Sequence, residues 1–281
     1  MSANIFHARY PRCTAAKRAA CLSLLLLATL APAQVQGKWT LAWSDEFDGP
    51  KGSAPDPTKW VYDLGASGWG NHELENYTDS RENSYLDGKG HLVIRAVRTR
   101  EGQYTSARLK TQGKFSTRYG KIEARIKLPR GQGMWPAFWM LGADIERVRW
   151  PASGEIDIME NVGNKPLVVE GSAHGPGFPE SGITAEHELS DHRPYYKDFH
   201  IFAIEWSPQK IEFFVDGISY ETVTPASLPP NAKWSLEHPF FLLLNLAVGG
   251  DWPGSPDRTT KFPQQMLVDY VRVWKAAGAQ E

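Results

Sequence analysis

The sequence predicts an all-β fold, a two-sheet antiparallel β-sandwich of jelly-roll type with one sheet curved into a concave substrate cleft. Three observations carry this. Several segments alternate apolar and polar residues with the two-residue period of a half-buried strand. The chain's 25 glycines and 20 prolines are scattered as turn punctuation, and no long amphipathic helical pattern interrupts them. A nearly continuous apolar run from Leu242 to Val248 reads as a central strand covered on both faces.

Taken in chain order, the N-terminus comes first. Lys17 and Arg18 precede a short leucine-rich apolar run, Ala19 to Ala31, and Ala31-Pro32-Ala33 gives the small-x-small pattern before a cut at Gln34. A secretory signal peptide over residues 1–33 is expected, too short to remain as a membrane anchor. The expected product is a secreted or periplasmic chain, with residues 34–281 forming a single domain and its core spanning about 38–275. Both cysteines, Cys13 and Cys21, lie in the leader. Cleavage would therefore leave neither a disulfide nor a thiol nucleophile.

The body of the chain is written in strands. Lys121 to Leu128 places Ile122, Ala124, Ile126 and Leu128 on one face and charges on the other. Lys210–Val215 and Ile218–Tyr220 flank Asp216-Gly217, a two-residue hairpin signal. Gly175 to Tyr195, with its Pro, Gly, Glu and His, reads as a long connection over the cleft or at its rim. Within it, His187-Glu188 and His192 have the wrong spacing for a zinc-binding His-Glu-x-x-His helix and read as loop chemistry. No repeat and no appended binding module interrupts residues 38–275, and Ala276 to Glu281 reads as a loose tail.

The 281 residues are 41% hydrophobic, enough for a sizeable core, and their formal net charge is −1. That balance gives no reason to expect a nucleic acid or an anionic membrane as partner. A neutral polymer suits it better, bound by a monomer.

The chemistry is concentrated in Gly154-Glu155-Ile156-Asp157-Ile158-Met159-Glu160. On a strand, Glu155 and Asp157 share one face while Ile156 and Ile158 face the core. Glu160 is out of phase unless one extra residue, such as Met159, is absorbed in a β-bulge. Two carboxyl groups facing one cleft are what glycoside hydrolysis requires: a protonated acid for the leaving oxygen and an ionised nucleophile or base. Side chains leaning together on a bulged strand can approach the separation of about 5–5.5 Å that a retaining enzyme needs. Asp157 between them can hydrogen-bond one Glu and help keep the other protonated. The competing reading is a solvated acidic strand face. The surrounding tryptophans weigh against it, because Trp135 and Trp139 in Gly131–Gly142, and Trp252 in Gly249–Gly254, are flat rings that match sugar C–H faces.

These residues resemble those of glycoside hydrolase family 16, and within it the bacterial laminarinases, which act on β-1,3-glucans. The signature Glu-x-Asp-x-x-Glu is matched at Glu155, Asp157 and Glu160. The similarity continues through Trp43–Asp48, Gly68–Glu73, Tyr104–Arg108, Tyr119–Lys127, Asp198–Trp206, Phe240–Gly250 and Val268–Trp274. The resemblance implies Glu155 as nucleophile, Glu160 as acid/base and Asp157 as the residue that tunes them. It places His174 near the acids, and Asn71, Arg108, Trp135, Trp139, Asn245 and Trp252 along the glucan cleft. It implies no cofactor for catalysis. It also implies a structural calcium held by main-chain oxygens and one aspartate, with Glu46, Gly90 and Asp269 in the matching motifs. Other substrates of the fold remain open here: lichenan, agar or carrageenan, glycosyl transfer to another sugar, or glucan binding without turnover.

Overall fold

The computed structural model describes residues 39–277, within one compact unit, Gly37–Glu281. The expected leader, with Cys13 and Cys21, lies outside the described residues. The first strands are β1 (Trp39–Asp45), β2 (Val61–Asp63), β3 (Glu75–Tyr77), β4 (Ser84–Leu86), β5 (Leu92–Arg98), β6 (Tyr104–Ser106) and β7 (Arg108–Lys110). The longer strands β8 (Gly120–Lys127), β9 (Met134–Gly142), β10 (Glu155–Glu160) and β11 (Val168–His174) follow. Then come β12 (Ile183–Glu188), β13 (His200–Ser207), β14 (Lys210–Val215), β15 (Ile218–Val223), β16 (Phe240–Val248) and β17 (Gln264–Ala276). The described helical elements are one four-residue α-helix, α1 (Ile145–Val148), and two 3-10 turns.

The strands form two sheets, as the alternation predicts. One has ten strands, with β15-β14-β13-β8-β17-β5-β6-β3 in order and β1 and β4 pairing with β17 and β5. The other has seven, in the order β12-β11-β10-β9-β16-β7-β2. All pairs are antiparallel except β3 with β6, which run parallel. That exception lies in two three-residue strands, too short to carry a pattern that sequence could show.

Packing follows the pleat. Ile122, Ala124, Ile126 and Leu128 join the core from one face of β8 and the strand end that follows. Phe138 and Met140 of β9, Ile156 and Ile158 of β10, and Leu242, Leu244 and Leu246 of β16 meet them from the seven-stranded sheet. Burial on this scale supplies most of the drive to fold, at roughly 25 cal/mol per Å² of apolar surface removed from water. All nine residues of β16 are buried, yet the reasons differ by face. The even-numbered residues fill the core, whereas Phe241 and Leu243 join Leu141, Trp139 and Ile145 in a small cluster on the opposite side.

The Asp216-Gly217 hairpin forms with Val215 opposite Ile218, and both turn residues have positive φ, 49° and 80°, as a type I′ turn requires. The expectation of a long loop from Gly175 to Tyr195 needs correction. Residues 183–188 form β12, the edge strand paired to β11, whose alternate residues are exposed and so carry little apolar signal.

Candidate active site

The face of the seven-stranded sheet that does not enter the core is lined by alternate residues of four neighbouring strands. Trp135, Ala137, Trp139 and Leu141 come from β9, Asn245 and Ala247 from β16, and Arg108 from β7. Together with the acids of β10 and the segment around Trp69 they bound a cleft of about 390 Å³.

Glu155 and Asp157 reach this face by the two-residue alternation of β10, and Glu160 reaches it through a bulge. Asp157 opposes Trp139 and Met159 opposes Phe138, so two residues of β10 are spent against one of β9. The same slip is present against β11. The residue skipped in the β9 ladder is Ile158, one position before Met159, and both side chains are buried in the core. Gly154 starts the strand at φ 68°, a conformation that glycine adopts at little cost, and a Cβ there would meet Leu236 and Phe240 at 2.8 and 2.9 Å. The entry to Glu155 is therefore fixed by backbone chemistry.

Asp157 is almost fully buried, at 3% exposure, and shares a hydrogen bond with Glu155. His174, opposite Glu155 on β11, puts Nε2 3.0 Å from Asp157 Oδ2. Trp135 Nε1 donates to Glu160 Oε1 at 2.8 Å. Burial, then the neighbouring Asp157 charge, pushes Glu155 up to about 8, and burial pushes Asp157 up to about 7. The same two causes raise Glu160 well above the carboxylate range, against the lowering effect of the Trp135 bond. Three carboxyls crowded at one site do not all ionise together, so the cluster holds protons at neutral pH.

Arg108 lies with its guanidinium 4.9 Å from the Trp69 ring and 4.7 Å from the Trp139 ring, and its Nε is 3.0 Å from Asp63. Asn71 and Asn245 also line the cleft, each tied into a hydrogen-bond chain described below. Trp252 stands edge-on to Trp135, centroids 5.4 Å apart, and braces that ring beside the cleft. His174 stands beside the acids on the same face of the sheet, directly opposite Glu155. Three aromatic or charged lining residues escaped the sequence reading. Trp69 and Glu73 sit in the Gly68–Glu73 motif from which only Asn71 was chosen, and Trp150, 53% exposed, lies five residues before Glu155.

Among the described residues, one group of three side chains could hold a metal: Glu155, Asp157 and His174, with ligand atoms within 4.8 Å of one another. The calcium expectation concerns a different place. Glu46 follows β1, whose Asp45 opposes Val271 of β17, Gly90 precedes β5, whose Leu92 opposes Val268, and Asp269 lies between those two partners. The Glu46 carboxylate is taken by Arg272, through bonds of 3.0 and 2.7 Å. Asp269 Oδ2 accepts from Arg125 at 2.6 Å, and its Oδ1 is 4.0 Å from His91 Nε2. The Glu46 side chain is thus spent on Arg272, and of the Asp269 oxygens only Oδ1 is clear of an arginine.

Comparison with known proteins shows the family. The family model for glycosyl hydrolases family 16 matches residues 71–272. A beta-glucanase of Rhodothermus marinus is 44% identical over 247 residues, covering 84% of this chain and 85% of that one. A glucan endo-1,3-beta-glucosidase of Cryptopygus antarcticus is 37% identical, covering 89% of this chain and 96% of its own. The laminarinase catalytic domain of Thermotoga maritima superposes with a TM-score of 0.79 at 47% identity, over 85% of this chain and 99% of that one. With this sandwich, this cleft and these relatives, the chain belongs to glycosyl hydrolases family 16 and is a glycoside hydrolase of laminarinase type.

Proposed function

We propose that the protein is an endo-acting β-1,3-glucan hydrolase that works by retaining double displacement. The observation that carries this reading is the bulge in β10, which brings Glu160 onto the same cleft face as Glu155 with the Trp135 indole bonded to it. Glu155 attacks the anomeric carbon while Glu160 gives its proton to the departing glycosidic oxygen, leaving a glycosyl ester on Glu155. Glu160, now a carboxylate, takes a proton from water, the water oxygen replaces Glu155 on the anomeric carbon, and both residues return to their starting states.

Asp157 gives the nucleophile its freedom. Glu155 must be ionised when it attacks, and it is ionised when the proton shared by the pair rests on Asp157, whose Oδ2 is 3.0 Å from His174 Nε2. The aromatic walls supply stacking surface for the sugar rings. The relatives' names support β-1,3-glucan as substrate. A leader over residues 1–33 would deliver the enzyme to polysaccharide outside the cytoplasm. A calcium near Asp269 would brace β1, β5 and β17 away from the chemistry.

Product analysis tests the reading. The purified protein is incubated with laminarin, lichenan, agarose and carrageenan, alongside Glu160→Gln. Mixed short β-1,3 oligosaccharides from laminarin, lost in the variant, are expected. Release from agarose or carrageenan alone, or retention on β-glucan with no release, would overturn it.

A further inference from the structure

A second acidic pair lies beside the cleft, and the double displacement does not use it. Glu73 lines the cleft, and Glu75, the first residue of β3, is 0% exposed. Hydrogen bonds run in one direction into Glu73. Trp139 Nε1 donates to Asn245 Oδ1 at 2.7 Å, Asn245 Nδ2 donates to the Tyr77 hydroxyl at 3.1 Å, and that hydroxyl donates to Glu73 Oε2 at 3.2 Å. From the other side Asn71 Nδ2 donates to Glu73 Oε1 at 3.1 Å. Because Tyr77 accepts from Asn245, its one proton must go onward. Glu73 thus accepts at both oxygens, the pattern a carboxylate satisfies in full.

A second charge on the fully buried Glu75, beside Glu73, is too costly to keep. Glu75 is the member that stays neutral. Its Oε2 accepts the Val248 amide N–H at 2.6 Å, its buried Oε1 takes a bond from no donor, and its side chain is hydrogen-bonded to that of Glu73. Burial, and then the Glu73 charge, pushes the Glu75 carboxyl up to about 9. The charged and titratable groups around the pair include Tyr77 on the same strand and Arg108 from β7, together with His72 and, from the segment after β16, Asp251, which are hydrogen-bonded to each other beside Asn71. From β16 it meets only the neutral Val248 amide and the Asn245 side chain.

The geometry points to Glu75 as a positioning residue that works only as a neutral acid. It fixes Glu73 as the ionised end of the chain and thereby holds Asn71, Asn245 and Trp139 where a bound sugar meets them. This rests on the β-glucan reading above. It assigns the residue a role in substrate placement and none in bond breaking.

Steady-state kinetics on laminarin separate that role from a merely structural one. Glu75→Leu removes both bonds at similar volume and is expected to raise KM about tenfold while kcat changes less than about threefold. Glu75→Gln supplies a neutral donor and a carbonyl, and is expected to bring KM back. As pH rises past about 9, KM of the unmodified enzyme climbs while that of Glu75→Gln stays level. Without any substrate, infrared difference spectra at neutral pH show a protonated-carboxyl C=O band in the unmodified enzyme that Glu75→Gln lacks. Should Glu75→Leu fail to fold, the pH comparison and the infrared band decide the matter. No such band, or a KM in Glu75→Gln as high as in Glu75→Leu, or level KM through pH 10 in both proteins, would overturn the proposal. Failure of the unmodified enzyme to hydrolyse any β-glucan would instead overturn the substrate reading, and it leaves the infrared result untouched.

Discussion

The indole N–H of Trp135 is bonded to Glu160 at 2.8 Å, so the residue that forms a wall of the cleft also bears on the acidity of the proposed proton donor. A bond to the carboxylate favours the ionised form and lowers the pKa, in opposition to burial and the Asp157 charge. Trp135→Phe keeps a ring and loses the donor. Glu160 then holds its proton more tightly, and the alkaline limb of the kcat profile, where the acid is lost, is expected to move up by about one pH unit. An unmoved or lowered limb in the measured pH–rate profile would contradict this assignment.

The two halves of the acidic pair are separable by mutation. Glu155→Gln is expected to leave glucan binding nearly intact and to remove hydrolysis. Asp157→Asn leaves the nucleophile in place and is expected to reduce kcat by about 10²-fold, within the range of acid–base contributions. Parallel binding and turnover assays check both. Full turnover in Glu155→Gln would remove it as nucleophile.

His174 is held by a glycine. A Cβ on Gly182, at φ 77°, would lie 2.7 Å from His174 Cε1 and 2.9 Å from Nε2. Gly182→Ala is therefore expected to push the imidazole off Asp157 and to lower kcat roughly tenfold or more, with KM changed less, because small displacements in the reacting geometry are costly. An unchanged kcat would mean that the His174–Asp157 contact is incidental.

Glu75 makes stability depend on pH with a definite sign. The folded protein keeps its proton up to about 9, whereas the unfolded chain releases it near the ordinary 4.5. Between those values the unfolded state binds fewer protons, so stability falls as pH rises, by up to about 1.4 kcal/mol per unit from this group. Thermal melts of Glu75→Gln are expected to lie above those of the unmodified enzyme at pH 8 and to lose that advantage near pH 4. Parallel melting curves across this range would contradict a neutral buried Glu75.

Much of this molecule is legible in its sequence, and the exceptions share a physical cause. The Asp216-Gly217 hairpin is readable because a two-residue turn demands those residue types. The acids of β10 are readable because carboxylates between isoleucines have no packing role. The bulge is required by phase alone, but its place at Ile158 is not, since Ile158 and Met159 are both apolar and either could be the extra residue. Glu75 gives no signal because Glu-Leu-Glu-Asn looks solvated, and only the tertiary fold buries it. Phe241 and Leu243 look like ordinary core, although they lie on the cleft side of the sheet with Leu141. Trp252 reads as a sugar platform, yet its ring meets Trp135 edge-on, an orientation that requires three-dimensional contacts. The edge strand β12 is lost because its exposed face is written in the same residues as a loop.

The central claim is that Glu155 and Glu160 act on one face in a double displacement, and the anomeric form of the first product tests it most directly. Proton NMR of laminarin hydrolysis, followed from the earliest minutes before mutarotation mixes the anomers, should show the new reducing ends as the β-anomer. The α-anomer appearing first would mean a single inverting displacement by water, and it would contradict the assignment of Glu155 as nucleophile.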